Sequence, residues 1–319
     1  MILAPRSVAR PLEALLVILT LGVVGASALG LLAETFWMFE LLTHFRLQFL
    51  AVQLPLLVVC LWRRRWVLFA ATLPFTVVNA AVVAPYWPRE TAISAPTDAV
   101  ELMSANLYGG NHDYSRFVDV AQRERPDLLL LLEYNSRWGT TLSSLLTEYP
   151  HRIVAEREDF FGLALFSRIP LTDARVIDLL GVPAVVARLE LGAGDAVRFI
   201  GLHLSPPMSA REASERNAQL DLVGELAAAE PGPLIVAGDF NVSPYSPVLA
   251  DWLERSALTD TRRGRGFGMS WPVSLPVLGI PIDHVLVSED FLVAAHYYGA
   301  AFGSDHYPVV TRLSLRGEQ

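Results

Sequence analysis

Leu234 to Pro244 reads LIVAGDFNVSP. Five apolar or small residues run into Gly238, Asp239, Phe240 and Asn241, the pattern of a buried strand that ends in turn residues. Asp239 and Asn241 stand two positions apart and so share one side of an extended chain. A turn needs glycine or asparagine, but it has no need of a carboxylate beside them. The ends of the other strands show what this one is for.

From Val100 onward short apolar runs alternate with helical stretches, which predicts one α/β domain over residues 100–319. Strands are expected over Val100–Asn106, Asp127–Glu133, Phe161–Ser167, Ala184–Leu191, Val197–His203, Leu234–Asp239, Ile282–Val287 and Pro308–Leu313. Helices are expected over Asp113–Glu124, Ala210–Ala229 and Pro247–Arg255. Between Thr259 and Pro281 the composition turns to Arg, Gly and Pro, a long loop of the kind that often carries function.

The strand ends repeat one theme. The first ends in Asn106, the run of leucines after Asp127 stops on Glu133, and RFIGLH stops on His203. PIDHVLV opens with Asp283, and GSDHYP sets Asp305 and His306 before the last strand. Singly, each has an ordinary reading: Asn106 as a turn residue, Glu133 as a solvated strand end, the histidines as structural. Jointly that reading fails, because independent turns have no reason to collect acids, amides and imidazoles at the ends of core strands.

Those residue types suit one chemistry. Carboxylates and amide oxygens are hard ligands for Mg²⁺, which takes only one or two carboxylates from protein and keeps several waters. An Asp–His pair orients an imidazole and stabilises its protonated form. Together they describe metal-assisted hydrolysis of a phosphoester. The chain has no Lys, which excludes a lysine Schiff base and a phosphate-loop lysine, and it lacks HExxH and cysteine sets for zinc.

MSANLYGG, LLLLLEYN, GLALFSRIP, IGLHLSPP, VAGDFNVSP, PIDHVLVS and GSDHYPVV come in the order and spacing of the endonuclease/exonuclease/phosphatase superfamily, which the chain resembles over nearly all of Asp98 to Leu315. The resemblance is to a bacterial membrane-anchored branch. It implies a four-layer α/β sandwich of two facing mixed sheets, with the site in a cleft at one end. It further implies that Glu133, Asn106 and Asp305 hold Mg²⁺, with Mn²⁺ as the alternative ion. Asp239 would position or deprotonate the attacking water, and Asn241 would orient it or the phosphate. His306, held by Asp283, would act as acid/base, and His203 would contact the phosphate from the opposite wall and protonate the leaving oxygen. His284 would be structural, and Ser167 and Arg168 would support the site. Tyr108 stands where some nucleases of the superfamily have an acid, and His203 argues against an abasic-site enzyme. The implied substrate is a lipid head group, a small phosphodiester or a nucleic acid; a catalytically silent binding module of the same fold is the alternative.

Residues 1–87 are of another kind. Apolar runs over Leu15–Ala33, Leu47–Trp62 and Trp66–Trp87 have the length or composition of bilayer spans, with Tyr86 and Trp87 suited to an interface. Arg6 and Arg10 precede the first, and Arg63, Arg64 and Arg65 separate the second and third. Three crossings with the arginines inside place the catalytic domain outside the bacterial inner membrane, beyond a linker over residues 88–99. Cleavage after ASA at 26–28 would remove the first span, and a re-entrant hairpin would invert the topology. Residues 1–97 carry seven Arg against four acids, the remainder eighteen against twenty-nine, so net charge does not draw the globular part to polyanions. Arg262, Arg263 and Arg265 form its only cationic cluster, either a phosphate grip or a solvated loop. The single Cys60 excludes an intramolecular disulfide.

Overall fold

A computed structural model of the chain describes residues 6–89, 99–191 and 196–316. Most of the expected linker, residues 90–98, lies outside the described residues, as do the side chains of Arg6 and Arg10. The chain divides into two compact units, residues 1–85 with Tyr245–Pro247, and residues 86–244 with 248–319.

The first unit is helical: α1 (Arg6–Gly30), α2 (Trp37–Thr43), α3 (Arg46–Trp62) and α4 (Trp66–Val83). Pro11–Gly30 and Trp66–Tyr86 are long and apolar enough to cross a membrane by length and composition. The second expected run, Leu47–Trp62, is α3, and it follows α2 at a bend of 62°. Among the apolar side chains a polar set links three helices. Gln53 Nε2 and Asn79 Nδ2 donate to Ser27 Oγ at 3.0 and 3.1 Å, and Asn79 Nδ2 also reaches Gln53 Oε1 at 3.1 Å. All three side chains are buried, so the bonds they exchange satisfy polar groups that water does not reach.

The second unit has twelve strands in two sheets among the described residues. They are β1 (Val100–Asn106), β2 (Leu128–Leu132), β3 (His151–Ala155), β4 (Leu163–Ser167), β5 (Leu171–Leu179), β6 (Val182–Glu190), β7 (Ala196–His203), β8 (Leu234–Asp239), β9 (Thr259–Asp260), β10 (Asp283–Val287), β11 (Phe291–Tyr298) and β12 (Val309–Leu315). The helices are α5 (Tyr114–Glu124), α6 (Ser136–Thr141), α7 (Ser143–Leu146), α8 (Ala210–Ala228) and α9 (Pro247–Ser256). One sheet has the order β11-β12-β1-β2-β4-β3 and the other β5-β6-β7-β8-β10-β9. Only β1–β2 and β7–β8 are parallel, and each is joined by a crossover that contains a helix, α5 or α8.

Alternation across the strands builds the layers. Leu102, Leu128, Leu130 and Leu132 meet Val185, Phe199, Ile235 and Val285 between the sheets. The intervening residues point outward: Met103 and Leu129 pack on Phe117 of α5, and Ile200 and Val236 on Val223 of α8 and Trp252 of α9. Because β2 is covered on both faces, all five of its residues are leucine and all are buried. The order helix, sheet, sheet, helix is the four-layer α/β sandwich expected.

Candidate active site

The two parallel pairs gather the functional strand ends. Register sets Asn106 opposite Leu132, just before Glu133, and His203 opposite Asp239. Asn106 Nδ2 donates to Asp239 Oδ2 at 3.4 Å, so the ends of β1 and β8 meet although they belong to different sheets. Binding at the carboxyl ends of parallel strands follows the general habit of α/β sheets.

Asp239 is the centre. Gly238 before it has φ of +139°, and a Cβ there would lie 1.9 Å from the Leu202 carbonyl oxygen, so only glycine lets β8 approach β7 at this point. Asp239 Oδ1 accepts the backbone N–H of Asn241 at 2.8 Å, closing a turn that holds Asn241 at φ +51°. The Asn241 amide donates to Leu204 O at 2.8 Å. Around Asp239 Oδ2 stand His203 Nε2 at 3.6 Å and His306 Nε2 at 3.9 Å, besides Asn106. Asp283 lies directly opposite Asp239 across β10 and β8 and thus on the same face. Its Oδ2 is 2.8 Å from His306 Nδ1, which leaves Nε2 of that ring facing Asp239. Asp239, Asp283 and His306 each offer an atom within 4.8 Å of the others.

Burial raises the Asp239 carboxyl well above the usual carboxylate range, and the neighbouring Asp283 charge adds to the rise. Burial works against a charged His306, but the Asp283 charge and hydrogen bond outweigh it and push the imidazole up. His203 has no such partner: burial, with His306 nearby, lowers it to about 4, so it is neutral. Two histidines beside one carboxylate are therefore held in opposite protonation states.

Glu133, Asn106 and Asp305 form the second part of the site. Glu133 takes φ of +56°, uncommon for a residue with a Cβ, and its Oε2 accepts Gly109 N at 2.7 Å. Burial raises its carboxyl, and Asp305 raises it further. Asn106 Oδ1 accepts Tyr108 N at 3.0 Å, and Asp305 Oδ2 accepts Trp271 Nε1 at 3.0 Å, while Asp305 Oδ1 is buried without a hydrogen-bond partner. Desolvated carboxyl oxygens with spare lone pairs fit a hard divalent cation. The cluster with ligand-like spacing, however, is Asp239, Asp283 and His306, the residues expected to do proton chemistry.

All eight expected site residues thus reach the same end of the sandwich. Ser167 and Arg168 do not. Because β4 runs antiparallel to β2, Ser167 pairs with Leu128, at the far end of the strand from Glu133; Arg168 there holds Glu148 at 2.7 Å and lies over the Tyr149 ring. Two of the three arginines of the cationic loop are turned inward, while Arg263 is exposed. Arg262 is buried on Asp260 at 3.0 Å, and Arg265 donates to the carbonyls of Thr261, Arg263 and Val293. Tyr86 packs under Arg262, and Trp87, 60% exposed, makes an edge contact with Phe267. His284 Nε2 donates to Val242 O, 2.9 Å away, on the opposite face from Asp283, as expected. Sequence reasoning overlooked Ser270, Trp271 and Ser304. Ser304 Oγ donates to Asn106 O at 2.7 Å and accepts His306 N, which pins the last loop to β1. Ser304 sits beside the Asp–His motif; Ser270 and Trp271 open the stretch SWPVSLPVLGIPIDHVLVS, which resembles the membrane-anchored branch but gives neither residue a role.

The fold is thus a two-sheet α/β sandwich in which buried acids, amides and histidines meet at one end. The model of the Endonuclease/Exonuclease/phosphatase family matches residues 103–306, and the chain belongs to that family. No curated protein sequence matches. Among solved structures, an endonuclease/exonuclease/phosphatase from Beutenbergia cavernae is 22% identical with a TM-score of 0.58, over 69% of this chain and 72% of that one. TDP2 of D. rerio, complexed with a single-strand DNA product, is 15% identical with a TM-score of 0.58, over 68% and 99%. Sphingomyelinase C from Streptomyces griseocarneus is 17% identical with a TM-score of 0.52, over 67% and 99%. At these identities the likeness is one of fold.

Proposed function

We propose that this chain is a membrane-anchored, Mg²⁺-dependent phosphoesterase that hydrolyses a phosphodiester or phosphomonoester by attack of water. The observation that carries the reading is the convergence of His203, His306 and Asn106 on one oxygen of a buried Asp239, with Asp283 behind His306. Asp239, raised by burial, accepts a proton from water held beside it. Asn241, fixed by the turn, orients the water or a phosphoryl oxygen. His306, kept protonated by Asp283, faces the developing negative charge and supplies the proton for the leaving oxygen. His203 is neutral and donates a hydrogen bond from the other side, a better fit to its depressed pKa than the acid role expected from sequence. Glu133, Asn106 and Asp305 hold the metal, which when bound supplies Lewis-acid polarisation of the phosphoryl group.

The membrane part of the reading rests on the first unit. Ile18 and Leu21 of α1, Val58 of α3 and Val67 of α4 are largely exposed, a surface suited to hydrocarbon. With Arg63, Arg64 and Arg65 on the cytoplasmic side, three crossings put the catalytic domain outside the inner membrane. The test uses the full-length protein in detergent with bis-(4-nitrophenyl) phosphate and 4-nitrophenyl phosphate, with Mg²⁺ or with chelator. Turnover should need the metal and vanish in Asp239→Ala. Equal turnover in the variant would overturn the assignment, and inactivity of a folded, metal-binding parent on all phosphoesters would favour the silent binding module.

A further inference from the structure

Between Ser270 and Pro281 the chain reads SWPVSLPVLGIP, without one charged residue. Trp271 and Ile280 close the base of this loop as an antiparallel bridge, with Ile280 N donating to Trp271 O at 2.6 Å. Its tip is the 3₁₀ turn Pro276–Leu278. Three prolines limit its freedom before any contact is made. At the tip Leu275, Val277 and Leu278 are exposed, Val277 at 77%.

The base of the loop is fastened to the site. Trp271 Nε1 donates to Asp305 Oδ2 at 3.0 Å and Val273 N to Asp305 O at 2.9 Å. Ser270 Oγ accepts the N–H of Asp283 at 3.1 Å, and Ser270 O accepts that of Tyr307 at 2.8 Å. Whatever the tip rests on is thus held at a set distance from Asp283, Asp305 and His306.

We infer that this loop docks on a lipid bilayer and seats the active site over its headgroups, so that the phosphoester hydrolysed belongs to a membrane lipid; the inference rests on the phosphoesterase reading above. A rigid, charge-free loop with aliphatic tips and a tryptophan at its base loses no ion hydration on entering an interface and gains apolar burial. Charge argues against a nucleic acid as the occupant. Eighteen Arg face twenty-nine acids after residue 97, and two of the three arginines of the nearest cationic loop are engaged internally, Arg262 by a carboxylate and Arg265 by carbonyls, while Arg263 is exposed. A zwitterionic lipid surface carries no such repulsion, and the apolar helices of the same chain keep a bilayer at hand.

The experiment uses the full-length protein in zwitterionic phosphatidylethanolamine–phosphatidylcholine vesicles, with an environment-sensitive fluorophore on Val277→Cys; the only native cysteine, Cys60, is buried. The probe should shift to the blue, be quenched by doxyl-labelled lipid and be protected from iodide. In parallel, Val277→Glu/Leu278→Glu should lower kcat/KM on vesicle phospholipid by at least about tenfold, a factor within reach of one buried aliphatic side chain. Turnover of soluble bis-(4-nitrophenyl) phosphate should be unchanged. A probe open to iodide and untouched by doxyl lipid overturns the docking. A probe shielded from both would mean a second copy or a protein partner covers the tip, which also overturns it. Equal losses on lipid and soluble substrate, or an equal loss on single-stranded DNA, refute the link to a lipid substrate. If the parent hydrolyses nothing, the phosphoesterase reading falls, and probe quenching alone decides the docking.

Discussion

Asp283→Asn removes one charge and almost no volume from the middle of the site. Asp283 and His306 are both buried and 2.8 Å apart at their nearest atoms, so their charge centres lie about 4 Å from one another. At that separation and an effective dielectric constant of about 20, the pair is worth about 4 kcal/mol. If the protonated imidazole acts in the transition state, losing that interaction corresponds to about a thousandfold in kcat. KM should change little, since substrate binding does not remake the pair. A second effect has a definite sign. Asp283 holds the His306 pKa up, so its removal lets the imidazole deprotonate at lower pH, and the alkaline limb of the rate profile should move toward neutral. The assay is steady-state hydrolysis of bis-(4-nitrophenyl) phosphate by full-length enzyme across pH, with thermal unfolding as the fold control. A folded variant that keeps more than about a tenth of kcat, with an unmoved alkaline limb, would refute the pairing as the source of catalysis.

Gly238→Ala should be far more damaging to the fold than its size suggests. The added methyl would meet the Leu202 carbonyl at 1.9 Å in a backbone region that disfavours side chains, a cost of several kcal/mol; a thermal midpoint within a few degrees of the parent would contradict the close approach of β7 and β8. For membrane orientation, a periplasm-dependent reporter fused after Gln319 should be active and a cytoplasm-dependent one silent, and the reverse pattern would overturn the three-crossing topology.

Strands with two buried faces were legible in the sequence, and β1 and β8 run between the expected residues. β3 and β5 were not. β3 buries only Ile153, and most of β5 is exposed at the end of its sheet, so neither shows the apolar pattern by which strands are read. β11 was missed as well; its burial follows no period of two. The site was legible as a set of residue types because the chemistry restricts them to a few. Direction was the information lacking: FSR closes an apolar strand just as GDFN does, but β4 is antiparallel and carries Ser167 to the wrong end. The arginine cluster misled for a related reason, since a sequence displays charges without the carboxylate or carbonyls that satisfy them.

The pairing of β1 with β12 sets a condition on biosynthesis. β1 is the first strand of the second unit to emerge from the ribosome, yet one of its two neighbours is the last, with Val100 against Leu313. Until that partner is made, an apolar strand edge stays unpaired while some two hundred further residues are translated, a long-range closure that is slow and exposed to aggregation. Ser304 and His306 arrive in the same late stretch, so the site is assembled by the event that seals the sheet. The candidate site therefore stays unformed until β12 has been made, and its formation marks the closure of that sheet.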